Sequence, residues 1–348
     1  MDNKEKYMIY VFILAIFAFL SGAEFVSDNG FNEDYMGKNI TTSVNGIFVV
    51  LVFMAHMGGY IKFQPYDIVW REFRVFLDQL IVVSFLFYSG YGMMKSFMKR
   101  GKPYIKSIFR KRFLKILFHF DIAVTVFYIV DLLIGKNIPV KEYMKALTTW
   151  TSIGNSNWYI TAVLCMYILM IISFTLSNNK VVSLSIMTIL SVFLVELFIK
   201  VERPEYCYNT LMVFPFGMWY AFFKDDIDRI LMKNNTVYIS AMFVATFLFA
   251  WGYKNVDRIY FYRLWSCSFM VIILLVTMKV RIGNSFINTM GKHVFSIYIL
   301  QRIPMMVFAR YGFNENNLVF FGLTFSSTIV LAYLFDKIMG KIDRKLFM

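Results

Sequence analysis

The chain is short of charge, of cysteine and of histidine. Only 17% of its 348 residues are charged and 59% are hydrophobic, whereas a soluble domain carries about a quarter charged residues and about half apolar ones. A single water-soluble globule is therefore excluded. Three cysteines, Cys165, Cys207 and Cys267, stand far apart without CxxC or metal-type spacing, which argues against a disulfide framework or a zinc site. The chain has no P-loop, no GxSxG elbow and no HExxH, so ATP-driven transport, standard hydrolase chemistry and zinc proteolysis are not indicated. Acidic residues within apolar runs, such as Asp131 and Glu196, are scattered rather than paired, and nothing marks a glycosidase-type couple. The first apolar stretch, Tyr7 to Gly22, lacks a strong basic leader and a clear cleavage site, which predicts a retained helix rather than a signal peptide.

What the chain has instead is apolar length. A bilayer core about 30 Å thick needs roughly 20 predominantly apolar residues per helix. Eleven runs qualify: 7–25, 46–63, 79–95, 113–133, 158–177, 181–199, 208–223, 236–253, 264–280, 287–308 and 318–336. They predict an all-α polytopic bundle of about eleven transmembrane helices. The 39 Phe and 22 Tyr suit a lipid-facing surface with interfacial anchors. Ser89-Gly90-Tyr91-Gly92 interrupts the third run with small residues that permit close approach of a neighbouring helix.

The net charge of +14 would suggest nucleic acid in a soluble protein. In a membrane protein it fits cations gathered on the cytoplasmic side, and no nucleic-acid partner is expected. Nine Lys and Arg fall between Lys95 and Lys115. That segment sets the expected orientation, with itself and the C-terminus cytoplasmic and the N-terminus outside the cell membrane, although Lys4 and Lys6 pull the other way.

Ionisable groups inside a bilayer are costly and point to function, which directs attention to the three histidines. His56 lies ten residues beyond Gly46, about 15 Å along a helix, which predicts a place near the bilayer midplane. It reads either as a general base or as a hydrogen-bonded contact between helices. His119 and Asp121 are two apart and on different faces, which suits a structural or pore-lining role. His293, in Gly291-Lys292-His293, is expected in the solvated headgroup region.

The cations Arg110, Lys111, Arg112 and Lys115 serve either topology and anionic lipid or the docking of a phosphorylated ligand. Arg112 and Lys115, three apart, put both heads on one side of a helix. Residues 148–160, with Asn157, Trp158 and Tyr159, read either as an outer loop with belt aromatics or as a surface for sugar hydroxyls and ring faces.

Several stretches, taken in order, resemble the acyltransferase 3 family, polytopic membrane enzymes that O-acylate bacterial surface glycans. The run from Asn45 to His56 is similar to a basic residue, ten residues and a histidine; Tyr88-Ser89-Gly90-Tyr91 resembles an SGY stretch. Arg112-Phe113-Leu114-Lys115 looks like an RxxR element. Trp158-Tyr159 through Tyr167, and Gly291-Lys292-His293 through Tyr298, resemble two weaker stretches. Asn45 stands where the family has Arg or Lys, Lys115 where a second Arg is usual, Phe118 where proline is common and Gln301 where histidine is frequent.

The resemblance implies an acyltransferase domain over 46–348, preceded by an extra N-terminal helix and acidic loop over 1–45. It implies transfer of an acyl group, most simply acetyl, from cytoplasmic acyl-CoA to a hydroxyl of an exopolysaccharide or other surface glycan. His56 would be the general base, with Arg112, Lys115, Arg110 and Asn45 at the donor and Trp158, Tyr159 and Asn157 at the acceptor. Acyl-CoA is a co-substrate, and no permanently bound cofactor or metal is expected. With 348 residues, no extracytoplasmic hydrolase-like domain is expected, so hand-off would be direct or through polysaccharide-assembly proteins. Two other readings stay open. One is a flippase for a lipid-linked glycan, for which the inverted repeats common among transporters are not seen. The other is a weakly active assembly partner, suggested by Asn45.

Overall fold

The computed structural model describes residues 8–27 and 30–347. Lys4, Lys6 and Tyr7 lie outside the described residues. Backbone groups in hydrocarbon must find partners within their own segment, and the apolar runs accordingly wind into helices. In order these are α1 (Met8–Leu20), α2 (Lys38–Met57), α3 (Ile68–Leu77), α4 (Val83–Arg100), α5 (Lys102–Ile108) and α6 (Lys115–Leu133). They continue with α7 (Val140–Leu147), α8 (Trp158–Leu176), α9 (Lys180–Lys200), α10 (Val213–Leu231), α11 (Asn235–Lys254) and α12 (Ile259–Lys279). Last come α13 (Ser285–Lys292), α14 (Val294–Leu300), α15 (Arg302–Arg310) and α16 (Asn317–Leu346). Among the described residues the only strands are Glu24–Phe25 and Val280–Arg281, paired antiparallel.

Among the described residues eight segments are long and apolar enough to cross a membrane, and the all-α polytopic bundle stands. Three expected runs take a different form. α1 has 13 residues, about 20 Å of helix. The run at 208–223 becomes α10, which starts at Val213 and carries Lys224, Asp225, Asp226 and Asp228 in its second half. The run at 287–308 is broken at His293 and Gln301 into α13, α14 and α15; Pro304, early in α15, has no amide hydrogen to continue a helix through that point.

Glycine sets the closest helix contacts. A Cβ at Gly90 would stand 2.1 Å from the Phe214 carbonyl oxygen, and one at Gly217 would stand 2.3 Å from that of Phe87, so α4 and α10 touch backbone to backbone. Gly90→Val should force them apart at a cost of about 3 kcal/mol, the upper end for overpacking. Gly92, whose Cβ would meet nothing within 4 Å, supplies the control. Melting of the two purified variants in detergent checks this: a Gly90→Val protein as stable as Gly92→Val would contradict the contact.

The charged half of α10 is held by a clamp. The Tyr35 hydroxyl donates to Asp228 Oδ1 at 2.5 Å and lies 2.5 Å from the Tyr220 hydroxyl. Lys224 pairs with Asp228 and sits 4.8 Å from the centre of the Tyr35 ring. Burial, with Tyr220 and Asp228 beside it, holds the Tyr35 phenol far above its ordinary pKa; it stays a neutral donor.

The bundle has two distinct ends. Arg110 donates to the carbonyl of Leu346 at 2.9 Å and Lys102 reaches the Phe174 and Ser177 carbonyls, which gathers residues 98–115, the end of α8 and the end of α16 at a basic end. Asn314 donates to the Tyr60 carbonyl at 2.7 Å and Asn317 to that of Lys62 at 3.3 Å. These bonds bring the end of α2 to the start of α16, at the opposite end.

Candidate active site

His56 sits in the last turn of α2, one residue from its end. The sequence predicts His56 mid-helix, ten residues beyond Gly46; it stands near the helix end because α2 starts at Lys38 rather than 46, the polar residues 38–45 also winding into helix. Their packing is close, since a Cβ at Gly46 would lie 1.8 Å from the Ile287 carbonyl oxygen and one at Gly291 would lie 1.9 Å from that of Thr42.

His56 opens onto a chamber of about 550 Å³ whose walls include Arg74, Asp78, Gln79, Trp158 and Tyr262. Its Nδ1 is buried without a partner, which leaves Nε2 as the nitrogen the chamber can reach. Asp78, between α3 and the following 3₁₀ turn, has φ of 37°, a conformation that costs a non-glycine residue about 1–3 kcal/mol and tends to occur at functional sites. In that pose its carboxylate accepts from the Tyr262 hydroxyl at 2.6 Å.

At the basic end a second cavity, of about 380 Å³, is lined by Arg100, Lys111, Arg112, Lys115 and Asp343. The chain here forms a π-helix over Phe109–Leu114, a wide turn that recurs at functional sites. It fans the cations toward one space instead of a single α-helical stripe. Asp343 accepts from Lys115 Nζ at 2.7 Å and lies 2.8 Å from His119 Nε2. Four cations therefore face one carboxylate, a surplus suited to phosphate.

Between the two lies a third, mostly apolar cavity of about 160 Å³. Ile116 belongs to its wall and to that of the basic cavity, and Tyr298 to its wall and to that of the His56 chamber.

The expected site residues divide accordingly. Arg112 and Lys115 share the basic cavity and Trp158 lines the chamber. Tyr159 faces the middle cavity, its ring 5.4 Å from that of Tyr298. Asn45, eleven residues before His56, lies on the same face of α2, and its buried Oδ1 has no partner. Arg110 is engaged by the Leu346 carbonyl instead of the basic cavity. Asn157 ties the preceding loop by donating to the Thr149 and Thr151 carbonyls at 2.7 and 3.1 Å.

His119 pairs with Asp343, not with Asp121. His293 is partly exposed and engages Asp336 through its Nδ1, and Asp336 also accepts from Ser296. Because the carboxylate stands between the other two, the imidazole does not face the hydroxyl, and the set lacks the geometry of a nucleophile relay. His56 is thus the one histidine among the described residues without a carboxylate partner.

Arg74, Asp78, Gln79, Tyr262, Arg100 and Asp343 go unmarked in the sequence reading. Arg74 and Asp78 carried a usable signal, the spacing of four that puts both on one side of a helix. Asp343 carried none, being 224 residues from His119.

These features define a multi-pass membrane protein with a cation-rich cavity at one end, a histidine-bearing chamber at the other and an apolar gap between. The sequence matches the family model described as an acyltransferase domain over residues 43–337, and the chain belongs to that family. It is a membrane acyltransferase, as the order of its motifs implied. No curated protein and no solved structure matches it.

Proposed function

We propose that the protein moves an acyl group, most simply acetyl, from cytoplasmic acyl-CoA to a hydroxyl of an exopolysaccharide or other cell-surface glycan. The observation that carries this is the row of three cavities in which neighbours share a wall residue, Ile116 or Tyr298. Positive charge favours the cytoplasmic side of the cell membrane, so the basic end and the C-terminus face inward and His56 faces outward. Arg112, Lys111 and Lys115 hold the donor's phosphates, the pantetheine arm lies along the apolar cavity, and the thioester reaches His56. Trp158 and Tyr167 mark its depth, nine residues apart on α8, about 13 Å.

In the reaction the acceptor oxygen attacks the thioester carbonyl carbon while His56 takes the hydroxyl proton. The tetrahedral intermediate collapses by breaking the C–S bond, and the thiol leaves with that proton. An ester and free CoA result, with no redox step and no resident cofactor. The glycan, with any assembly proteins that present it, is met from outside.

Binding and turnover of radiolabelled acetyl-CoA by the protein in nanodiscs test the proposal. Arg112→Ala should weaken donor binding by about ten-fold or more, the range for a charge-assisted hydrogen bond. A wild type that neither binds nor consumes acetyl-CoA or longer acyl-CoA would overturn it and bring the flippase reading forward, since a broken helix such as α13–α15 beside the site is also a transporter device.

A further inference from the structure

The His56 chamber holds a cation that the transfer mechanism does not use. The Arg74 guanidinium makes no hydrogen bond or ion pair among the described residues, and its carbon lies 3.8 Å from where a Cβ on Gly58 would be, just past the end of α2. Arg302 adds a second charge: both guanidiniums act on the His56 ring. Its Nε is buried without a partner, and its one hydrogen bond, from Nη1 to the Gly154 carbonyl, is 3.3 Å long.

Two carboxylates near these cations have partners of their own. Asp78 accepts from Tyr262, and Asp131 lies 2.8 Å from Lys136 Nζ. Further polar atoms on the chamber wall are also unpartnered, namely Gln79 Oε1, Trp265 Nε1 and the Tyr298 hydroxyl. Trp265 and Tyr298 are 2% and 3% exposed, and buried polar atoms ordinarily find partners. An acceptor and two donors beside an aromatic face suit the hydroxyls and ring of a sugar. An unpaired guanidinium suits an oxyanion.

We infer that the acceptor is an acidic glycan, and that Arg74 holds its carboxylate or phosphate while the hydroxyl to be acylated sits at His56. This inference rests on the acyl-transfer reading for the role of His56 but not for the binding site itself. Asp78 accepts from Tyr262 and forms no ion pair with Arg74, which leaves the guanidinium to the anion. Arg302 adds long-range attraction.

The test is binding, measured without donor, so that it stands apart from the acyl-transfer reading. The full-length protein in nanodiscs is titrated with methyl glucuronoside, glucose 6-phosphate and the neutral methyl glucoside, followed by quenching of tryptophan fluorescence as Trp158 and Trp265 are covered. Each acid probe that fits should bind about ten-fold or more tightly than the glucoside, and the tighter of the two tells carboxylate from phosphate. Arg74→Gln should collapse the ratio toward one, and Arg74→Lys should restore part of it. Equal binding of the neutral probe, no binding of either acid, or a ratio that survives Arg74→Gln overturns the inference. If the ratio behaves as expected while acetyl-CoA is never consumed, the acidic-sugar site stands and the acyl-transfer reading is what fails.

Discussion

His56→Ala is expected to lower acyl transfer by about 10²–10⁴-fold, the usual contribution of a positioned general base, while acetyl-CoA binding stays at the wild-type level. The two effects separate because the histidine and the cations proposed to bind phosphate lie at opposite ends of the bundle, with the apolar cavity between them. His56 opens onto the chamber through an imidazole that no carboxylate holds. His119 and His293 are each committed to an aspartate on α16, so neither can substitute. Single-turnover transfer beside equilibrium donor binding checks this, with His56→Gln as the variant closest in polarity. Near-wild-type transfer by both variants would remove His56 from the chemistry, whereas loss of donor binding would mean that His56 shapes the donor site instead.

Much of the bundle is legible in the sequence because lipid gives an apolar run one way to satisfy its backbone. α8, α9 and α11 start and end within about two residues of the expected spans, since charged or turn residues flank each of them. α2 differs because hydropathy measures side chains and not helix continuity: the polar stretch 38–45 reads as loop but is helical, and the shift carries His56 from mid-helix to the helix end. α10 differs for the opposite reason, Lys224 and Asp228 being paired with each other and Asp228 also accepting from the remote Tyr35. Local pattern singles out Arg112, Lys115, Trp158 and His56, all of which line the cavities. Local pattern also picks out Arg110 and Asn157, whose polar groups are taken up by backbone carbonyls of Leu346, Thr149 and Thr151. Only three-dimensional placement reveals such a use. Asp343 and Tyr262 enter through contacts across 224 and 184 residues, for which a single sequence holds no signal.

Val163→Trp is expected to block transfer without removing the donor's grip. Val163 lies on α8, 4% exposed, in the wall of the middle cavity between Tyr159 and Tyr167. The cavity, about 160 Å³, gives an indole somewhere to go, so overpacking should stay near the low end of the usual 1–3 kcal/mol range. A ring there occupies the space that the proposed mechanism assigns to the pantetheine arm and moves the thioester off His56; misplacement by about 1 Å can already cost about 10²-fold. Transfer should therefore fall by about 10²-fold or more, while binding of adenosine 3′,5′-bisphosphate, which keeps the donor's 3′-phosphate and first 5′-phosphate without the arm, stays unchanged. Val163→Leu should fall between. A melting curve separates this from misfolding, because a destabilised bundle would lose nucleotide binding as well. Transfer that persists in a folded Val163→Trp protein would show that the acyl group takes another route to His56, and the Ile116–Tyr298 connection would then be packing rather than passage.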